Sequence, residues 1–350
     1  MEALKKTRTI YVGKVPIGGG NPIIVQSMTK TDTADVKATL KQIQSLETSG
    51  CEIIRLAVPD MNAAKALGKI KKSIGIPMIA DIHFDWRLAL ESIEQGVDGL
   101  RINPGNIGAR WKIKEIVTTA RERGIPIRIG VNAGSLEKEL LRKYGHSTPF
   151  ALVESAGKHI HILEELNFTN IKVSLKASAV PKTIEAYRLF SERYDYPLHI
   201  GISEAGPPSS GIIKSSVGLG ILLSEGIGDT IRVSLTAEPE EEVRVAYAIL
   251  SSLGLRRRGA NIISCPTCGR CKIDLRKLVR KVETRVKGID KPVTIAVMGC
   301  VVNGPGEARE ADFGIAGGKG RGILFRKGKI VKKVKEEDLL DVLLKEIEDY

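Results

Sequence analysis

A strand-then-helix alternation that recurs along the N-terminal part of the chain constrains its fold more than any other feature. Candidate strands at Ile23–Gln26, Ile53–Val58, Met78–His83, Gly99–Asn103, Ile127–Asn132, Ile171–Lys176, Leu198–Ser203 and Ile231–Ser234 are separated by helix-length segments. The first helix is signalled by Thr31-Asp32-Thr33, then Val36, Leu40, Ile43 and Leu46 at helical spacing, and Ser49-Gly50 ends it. Eight such units predict a TIM (β/α)8 barrel of parallel strands, with an open doubly wound sheet as the competing arrangement.

Side-chain parity favours the barrel. In Ile127-Arg128-Ile129-Gly130-Val131-Asn132 the aliphatic residues share one face, and Arg128, Gly130 and Asn132 share the other. The same split sets Arg101 and Asn103 against Leu100 and Ile102, and Arg232 and Ser234 against Ile231 and Val233. It groups Asp81 with His83, and Lys172 with Ser174 and Lys176. An aliphatic outer face packs on the surrounding helices, so the polar set points to the barrel axis near the C-terminal strand ends, where barrel enzymes carry their chemistry. Arg55 joins it, on the face expected to hold Cys51, Ile53 and Ala57, with Cys51 read as a small buried residue.

Arg55, Arg101, Arg128, Lys176 and Arg232 therefore converge from five strands on one mouth. Buried cations are costly without partners, and guanidinium forks suit phosphate oxygens, so the cluster implies an anionic ligand. The loop Asn103-Pro104-Gly105-Asn106-Ile107-Gly108 could present backbone N–H groups to the same ligand. Asp81, His83, His199 and Glu204 are candidates for proton work. His146, His159 and His161 are read as surface or packing residues.

A linker is expected at Leu253–Gly259, giving a barrel domain over 1–258 and a second α/β domain over 259–350. The second unit should hold a helix with Leu275, Leu278, Val279, Val282 and Val286 on one face and a strand at Val293–Met298. A hairpin through Phe325–Ile330 and a terminal helix carrying Leu339, Leu340, Leu343, Leu344 and Ile347 complete a small sandwich. Four of the five cysteines fall between Cys265 and Cys300, a spacing that reads as metal binding. Zinc would use Cys265, Cys268, Cys271 and Cys300, yet the second Cys-x2-Cys knuckle usual for structural zinc is missing. A [4Fe–4S] cluster held by three thiolates, its fourth iron open to a weaker ligand or to Cys271, fits better.

The formal charge of +13 also points to an anionic partner. With aromatics at only 4% and no basic run interleaved with them, a nucleic-acid platform is poorly supported. No apolar run approaches a membrane span, and the charged N-terminus lacks an apolar core behind it, so the expectation is a soluble cytoplasmic protein.

Several stretches, in order along essentially the whole chain, resemble the 4-hydroxy-3-methylbut-2-enyl diphosphate synthase family. They are Val25-Gln26-Ser27-Met28-Thr29, Ala80-Asp81-Ile82-His83-Phe84, Arg101-Ile102-Asn103-Pro104-Gly105-Asn106, Gly130-Val131-Asn132, Ser203-Glu204-Ala205-Gly206, Ser264-Cys265-Pro266-Thr267-Cys268-Gly269-Arg270 and Asn303-Gly304-Pro305-Gly306-Glu307-Ala308. The chain is similar to the compact bacterial form, which lacks the large insertion of plant members. The resemblance implies a barrel joined to an iron–sulfur domain, and a homodimer in which one subunit's cluster domain caps the other's barrel. It implies 2-C-methyl-D-erythritol 2,4-cyclodiphosphate as substrate, with ring opening, delivery of two electrons one at a time, and loss of the C3 hydroxyl as water. Cys265, Cys268 and Cys300 would hold three irons and Glu307 the fourth, which leaves Cys271 outside the required set. Arg55, Arg101, Asn103, Arg128, Asn132, Lys176, Arg232 and Ser234 would bind the substrate, with Glu204, Asp81 and His83 near the reacting carbons. A ferredoxin or flavodoxin would donate the electrons. From Ser264 onward the chain counts 19 Lys and Arg against 13 Asp and Glu, net +6, which suits an acidic donor. The rival readings are a barrel transferase for a phosphorylated or pterin substrate with a structural zinc site, and a basic RNA-binding protein with a zinc-ribbon tail.

Overall fold

Parallel strands wind into a closed ring in the computed structural model, which describes residues 6–300 and 308–349. After an antiparallel hairpin of β1 (Ile10–Val12) and β2 (Val15–Ile17) come β3 (Ile24–Met28), β4 (Ile53–Ala57), β5 (Met78–Asp81), β6 (Gly99–Ile102), β7 (Ile127–Asn132), β8 (Ile171–Lys176), β9 (His199–Ile200) and β10 (Thr230–Ile231). The hydrogen-bonded order runs β8-β7-β6-β5-β4-β3-β10-β9, and a parallel bridge between Val173 and Leu198 closes the ring. The fold is the expected barrel.

Helices α1 (Val36–Thr48), α2 (Met61–Lys71), α3 (Trp86–Glu94), α4 (Pro104–Ile107), α5 (Arg110–Glu122), α6 (Lys138–Tyr144), α7 (Pro149–Glu164), α8 (Val180–Arg193), α9 (Pro208–Ser224) and α10 (Pro239–Ser252) connect the strands. Aspartates start several of them: Asp35 accepts the Ala38 N–H at 3.0 Å, and Asp60 accepts the Ala63 N–H at 2.9 Å. The outward aliphatics Ile54, Leu56, Leu100, Ile102, Ile127, Ile129, Val131, Val173 and Ile231 share one core with the helix faces. The hairpin supplies a floor that the sequence reading did not anticipate. Ile10, Val12 and Ile17 pack against the inward residues Ile24, Ile53 and Ile79 and seal the N-terminal end of the barrel.

Strands β9 and β10 fall well short of the predicted Leu198–Ser203 and Ile231–Ser234, and β4, β5 and β6 stop one or two residues early. At Gly201, just past β9, a Cβ would come within 2.6 Å of the Arg232 carbonyl oxygen and 2.9 Å of Lys176 Nζ, so the chain departs from the ladder to pass the lysine. Cys51 precedes β4 and packs in the outer core, whereas Ile53 lies in the floor, so the two do not share a face as expected. The expected linker is partly anchored, because Arg256 pairs with Glu52 at 2.7 Å and donates to the Ile23 carbonyl.

The chain divides into two compact units, Met1–Arg256 and Arg257–Tyr350. The second contains β11 (Ala260–Ser264), α11 (Leu275–Val286), β12 (Val293–Met298), β13 (Phe313–Gly318), β14 (Arg321–Arg326), β15 (Lys329–Lys335) and α12 (Leu339–Glu348). Its sheet runs β11-β12-β13-β14-β15, parallel through β13 and antiparallel beyond. Both helices bury Leu275, Val282, Val286, Leu339 and Leu343 against one face, which makes a two-layer α/β sandwich. Strands β11 and β13 were not anticipated. Gly314 in β13 lies so close to the Phe325 ring that a Cβ would sit 2.1 Å from it, so cross-strand packing, not local propensity, fixes this strand. Among the described residues, no helix is long and apolar enough to cross a membrane.

Candidate active site

The barrel interior above the floor is charged. Arg55, Arg101, Arg128, Lys172 and Lys176 are buried to 7% exposure or less, and Arg232 is half-buried beside them. Arg101, Arg128 and Lys172 occupy paired positions on β6, β7 and β8, which sets like charges side by side. Asp81 Oδ1 lies 3.1 Å from Arg101 Nη1, and its Oδ2 lies 3.5 Å from Arg55 Nε. Burial opposes ionisation of Asp81, yet Arg55, Arg101 and Arg128 together hold its carboxyl at about 2. His83, the more exposed neighbour, sits 3.6 Å from Asp81 and near Arg101. Burial, with the surrounding arginines, lowers its pKa despite Asp81, so the ring is neutral at pH 7.

The other carboxylate, Glu242, comes from α10. It lies 3.6 Å from Arg232 and 3.1 Å from Lys30, and it accepts the Leu235 N–H at 2.9 Å. Arg55 aims Nε and Nη2 at the Met28 thioether at 3.2 and 3.0 Å, a soft acceptor in place of an anion. Arg128 is an unsatisfied guanidinium. It is 3% exposed, and its Nε and Nη1 have no hydrogen-bond partner among the described residues. Burial and then Arg55 and Arg101 lower its pKa, and burial with Arg128 does the same to Lys176. Of these six cationic side chains only Arg55, Arg101 and Arg232 lie within ion-pair reach of a carboxylate among the described residues, and Glu242 is shared with Lys30, so the remaining charge calls for an anion from outside.

Two glycines make this crowding possible. A Cβ on Gly130 would lie 2.4 Å from Arg101 Nε, so only glycine lets that guanidinium lie across β7, where it also donates to the Gly130 carbonyl at 3.1 Å. Gly201 gives Lys176 the corresponding space.

The remaining expected residues line the same end of the barrel. Asn103 is buried with Oδ1 unpartnered, Asn132 ends β7 opposite Lys176, and Ser234 is half-buried two residues past Arg232. Glu204 is exposed on the loop after β9 and holds φ of 52°, a left-handed conformation unusual for a non-glycine residue. The 103–108 loop forms α4, in which the Asn106 N–H is used on the Asn103 carbonyl at 2.8 Å. His199 is fully buried lower in the barrel, bonded through Nδ1 to Thr230 at 2.8 Å, and burial keeps it neutral. Of the two expectations for His159, the packing one holds: it is 2% exposed and contacts Glu137 at 2.9 Å.

Met28 and Glu242 went unrecognised as members of this site in the sequence. The thioether and the helix-borne carboxylate give no local signal. Glycines inside the strand-like segments around 130 and 201 were the readable clue to a close approach.

In the second unit the cysteines sit at the carboxyl ends of two adjacent parallel strands. Cys265 follows β11 and Cys300 lies two residues past β12. The Gly299 N–H donates to Cys265 Sγ at 3.3 Å, and a Cβ on Gly299 would be 2.5 Å from Cys271 Sγ. Cys268 is exposed, and the Arg270 backbone N–H, then its guanidinium, lower the thiol's pKa toward the thiolate. Thiols on two loops, an N–H aimed at one sulfur and a thiolate-favouring turn at another are a donor set suited to an iron–sulfur group. Among the described residues no three His, Cys, Asp or Glu side chains converge on one point, and Glu307 lies outside the described residues.

Comparison with known proteins adds an independent line. Residues 7–247 match the GcpE TIM-barrel domain, and residues 261–349 match the GcpE protein C-terminal domain. The chain is 65% identical over 343 residues to a 4-hydroxy-3-methylbut-2-en-1-yl diphosphate synthase (flavodoxin) of Thermodesulfovibrio yellowstonii, covering 98% of each chain. It is 65% identical to the protein of the same name from Geobacter sulfurreducens, covering 98% of this chain and 97% of that one. Against the Clostridium perfringens protein of that name, identity is 58%, with 98% and 99% covered. Among solved structures, the Yersinia pestis dihydropteroate synthase superposes with a TM-score of 0.52 at 12% identity, covering 70% of this chain and 98% of that one, a likeness of fold alone.

Proposed function

The chain belongs to the GcpE family, and from that premise we infer that it reduces 2-C-methyl-D-erythritol 2,4-cyclodiphosphate to (E)-4-hydroxy-3-methylbut-2-enyl diphosphate. It is an oxidoreductase of non-mevalonate isoprenoid biosynthesis. The reaction opens the cyclic diphosphate, takes up two electrons and protons, and releases the C3 oxygen as water. The observation that carries the reading is the surplus of buried cation around Arg128, which a diphosphate would neutralise.

Arg55, Arg101, Arg128, Lys176 and Arg232 would grip the diphosphate oxygens, and Asn103, Asn132 and Ser234 its remaining polar atoms. Asp81 stays ionised far below neutral pH, so its role is to hold Arg55 and Arg101 in place rather than to pass protons. His83, a neutral ring at the same rim, can hydrogen-bond the substrate, and Glu204 is the carboxyl free to move a proton near the reacting carbons. Cys265, Cys268 and Cys300, with Glu307 as the carboxylate donor, would hold a [4Fe–4S] cluster, which when bound supplies electrons one at a time. The electron donor would be a flavodoxin or ferredoxin, the assembly a homodimer with each cluster domain serving the partner's barrel, and the compartment the cytoplasm.

Anaerobically prepared protein should carry about four irons and four acid-labile sulfides per chain and should form the linear diphosphate from the cyclodiphosphate with a reduced flavodoxin. A colourless protein with stoichiometric zinc and no product would instead support a barrel transferase.

A further inference from the structure

The outer side of α11 carries a row of exposed cations. Arg276, Lys277, Arg280, Lys281 and Arg285 are all exposed, and none forms an ion pair among the described residues. With Leu340 of α12 they line an open groove of about 630 Å³. Asp274, the acidic residue in that groove, is engaged as the helix cap and accepts the Lys277 N–H at 3.1 Å.

This arrangement works against the helix. Residues four apart are neighbours on a helix surface, so Arg276 with Arg280, Lys277 with Lys281, and Lys281 with Arg285 are repulsive pairs. Arg276 and Lys277 also occupy the first turn, where the helix dipole disfavours positive charge. The helix holds its place through Leu275, Val282 and Val286 in the unit's core, and the cations add nothing to that packing. Charges kept at a cost to their own element point to a partner outside the chain. The row begins beside the cysteine segment: Cys271 Sγ donates to the Ile273 carbonyl at 3.3 Å, and the Lys272 N–H donates to the Gly299 carbonyl at 3.4 Å.

We propose that this face of α11 is the docking surface for the electron donor, an acidic flavodoxin whose carboxylates meet the cation row and bring its flavin to the Cys265–Cys271 segment. The proposal rests on the reductive reading above. Each encounter oxidises the reduced flavin by one electron, and two encounters supply the two electrons that the ring-opening reduction consumes. Exposed complementary charge of this kind sets encounter rate and salt dependence.

The test uses the holoenzyme and the double variant Arg280→Glu/Lys281→Glu, which turns all three repulsive pairs into attractive ones. Expected are a fall of about tenfold or more in kcat/KM for reduced flavodoxin at low salt, unchanged turnover with dithionite-reduced methyl viologen, and a thermal midpoint that holds or rises. Unchanged kcat/KM for flavodoxin would overturn the proposal. So would an equal loss with both donors, or a change in oligomeric state with flavodoxin affinity intact, which would assign the face to a second copy of this chain. Should the wild-type holoenzyme turn over with neither donor, the reductive reading fails. Calorimetric titration with oxidised flavodoxin then decides docking alone: salt-sensitive binding lost in the variant supports it, and no binding to wild type overturns it.

Discussion

Lys172 stands in the barrel interior at 1% exposure, with no hydrogen-bond partner for its amine among the described residues. Burial, then Arg128, pushes its pKa down to about 7, against the pull of Asp229. An unfolded lysine titrates near ~10.4, so between about pH 7 and 10 the unfolded chain carries a proton that the folded chain lacks. Stability at this site therefore falls as pH drops from ~10 to ~7 and levels off below. Lys172→Met, which keeps the volume and removes the charge, should raise stability at pH 7 by about 1–3 kcal/mol and flatten that slope. Denaturant titrations at pH 7 and 9.5 check this, and an unchanged slope would speak against it. At this scale much of the site was readable. Period-2 parity placed Arg101, Arg128 and Lys176 on one face, because alternation along a strand is fixed by backbone geometry. Glu242 and Met28 were not readable, because what brings them to Arg232 and Arg55 is tertiary packing.

Among the elements, the β1–β2 hairpin is the one whose role the alternation conceals. Its strands are three residues each, too short to register as a pattern, yet Ile17 is fully buried against the floor of the barrel. Ile17→Ala should cost about 2–4 kcal/mol by leaving a cavity while leaving KM for the cyclodiphosphate unchanged, since the floor lies at the end of the barrel away from the mouth. A large KM change with little loss of stability would contradict this placement. Long periodic elements, such as β7, β8 and β12, matched the sequence to the residue because their aliphatic faces are continuous. Strands β9 and β10 did not, since the passage of Lys176 beside Gly201, a contact between distant residues, decides where their ladder stops. In β13 the glycines that weaken a local strand signal are the residues that admit the Phe325 and Ile273 side chains.

Over the whole molecule, a net charge of +13 is distributed with purpose. Part lies buried in the barrel in excess of the carboxylates there, and part lies exposed on α11, where Arg276, Lys277, Arg280, Lys281 and Arg285 form no ion pair among the described residues. Both sets of like charges cost their own elements stability, a trade common at functional sites. The barrel set carries the central claim, and Arg128 tests it most directly because its buried guanidinium leaves Nε and Nη1 unpartnered among the described residues. Calorimetric titration of the cyclodiphosphate into Arg128→Met holoenzyme should show binding weakened by about 10- to 100-fold relative to wild type, the loss of one or two charge-assisted hydrogen bonds. The iron–sulfur absorbance should be unaltered. Affinity equal to that of the wild type would contradict the assignment of the barrel cations to the diphosphate.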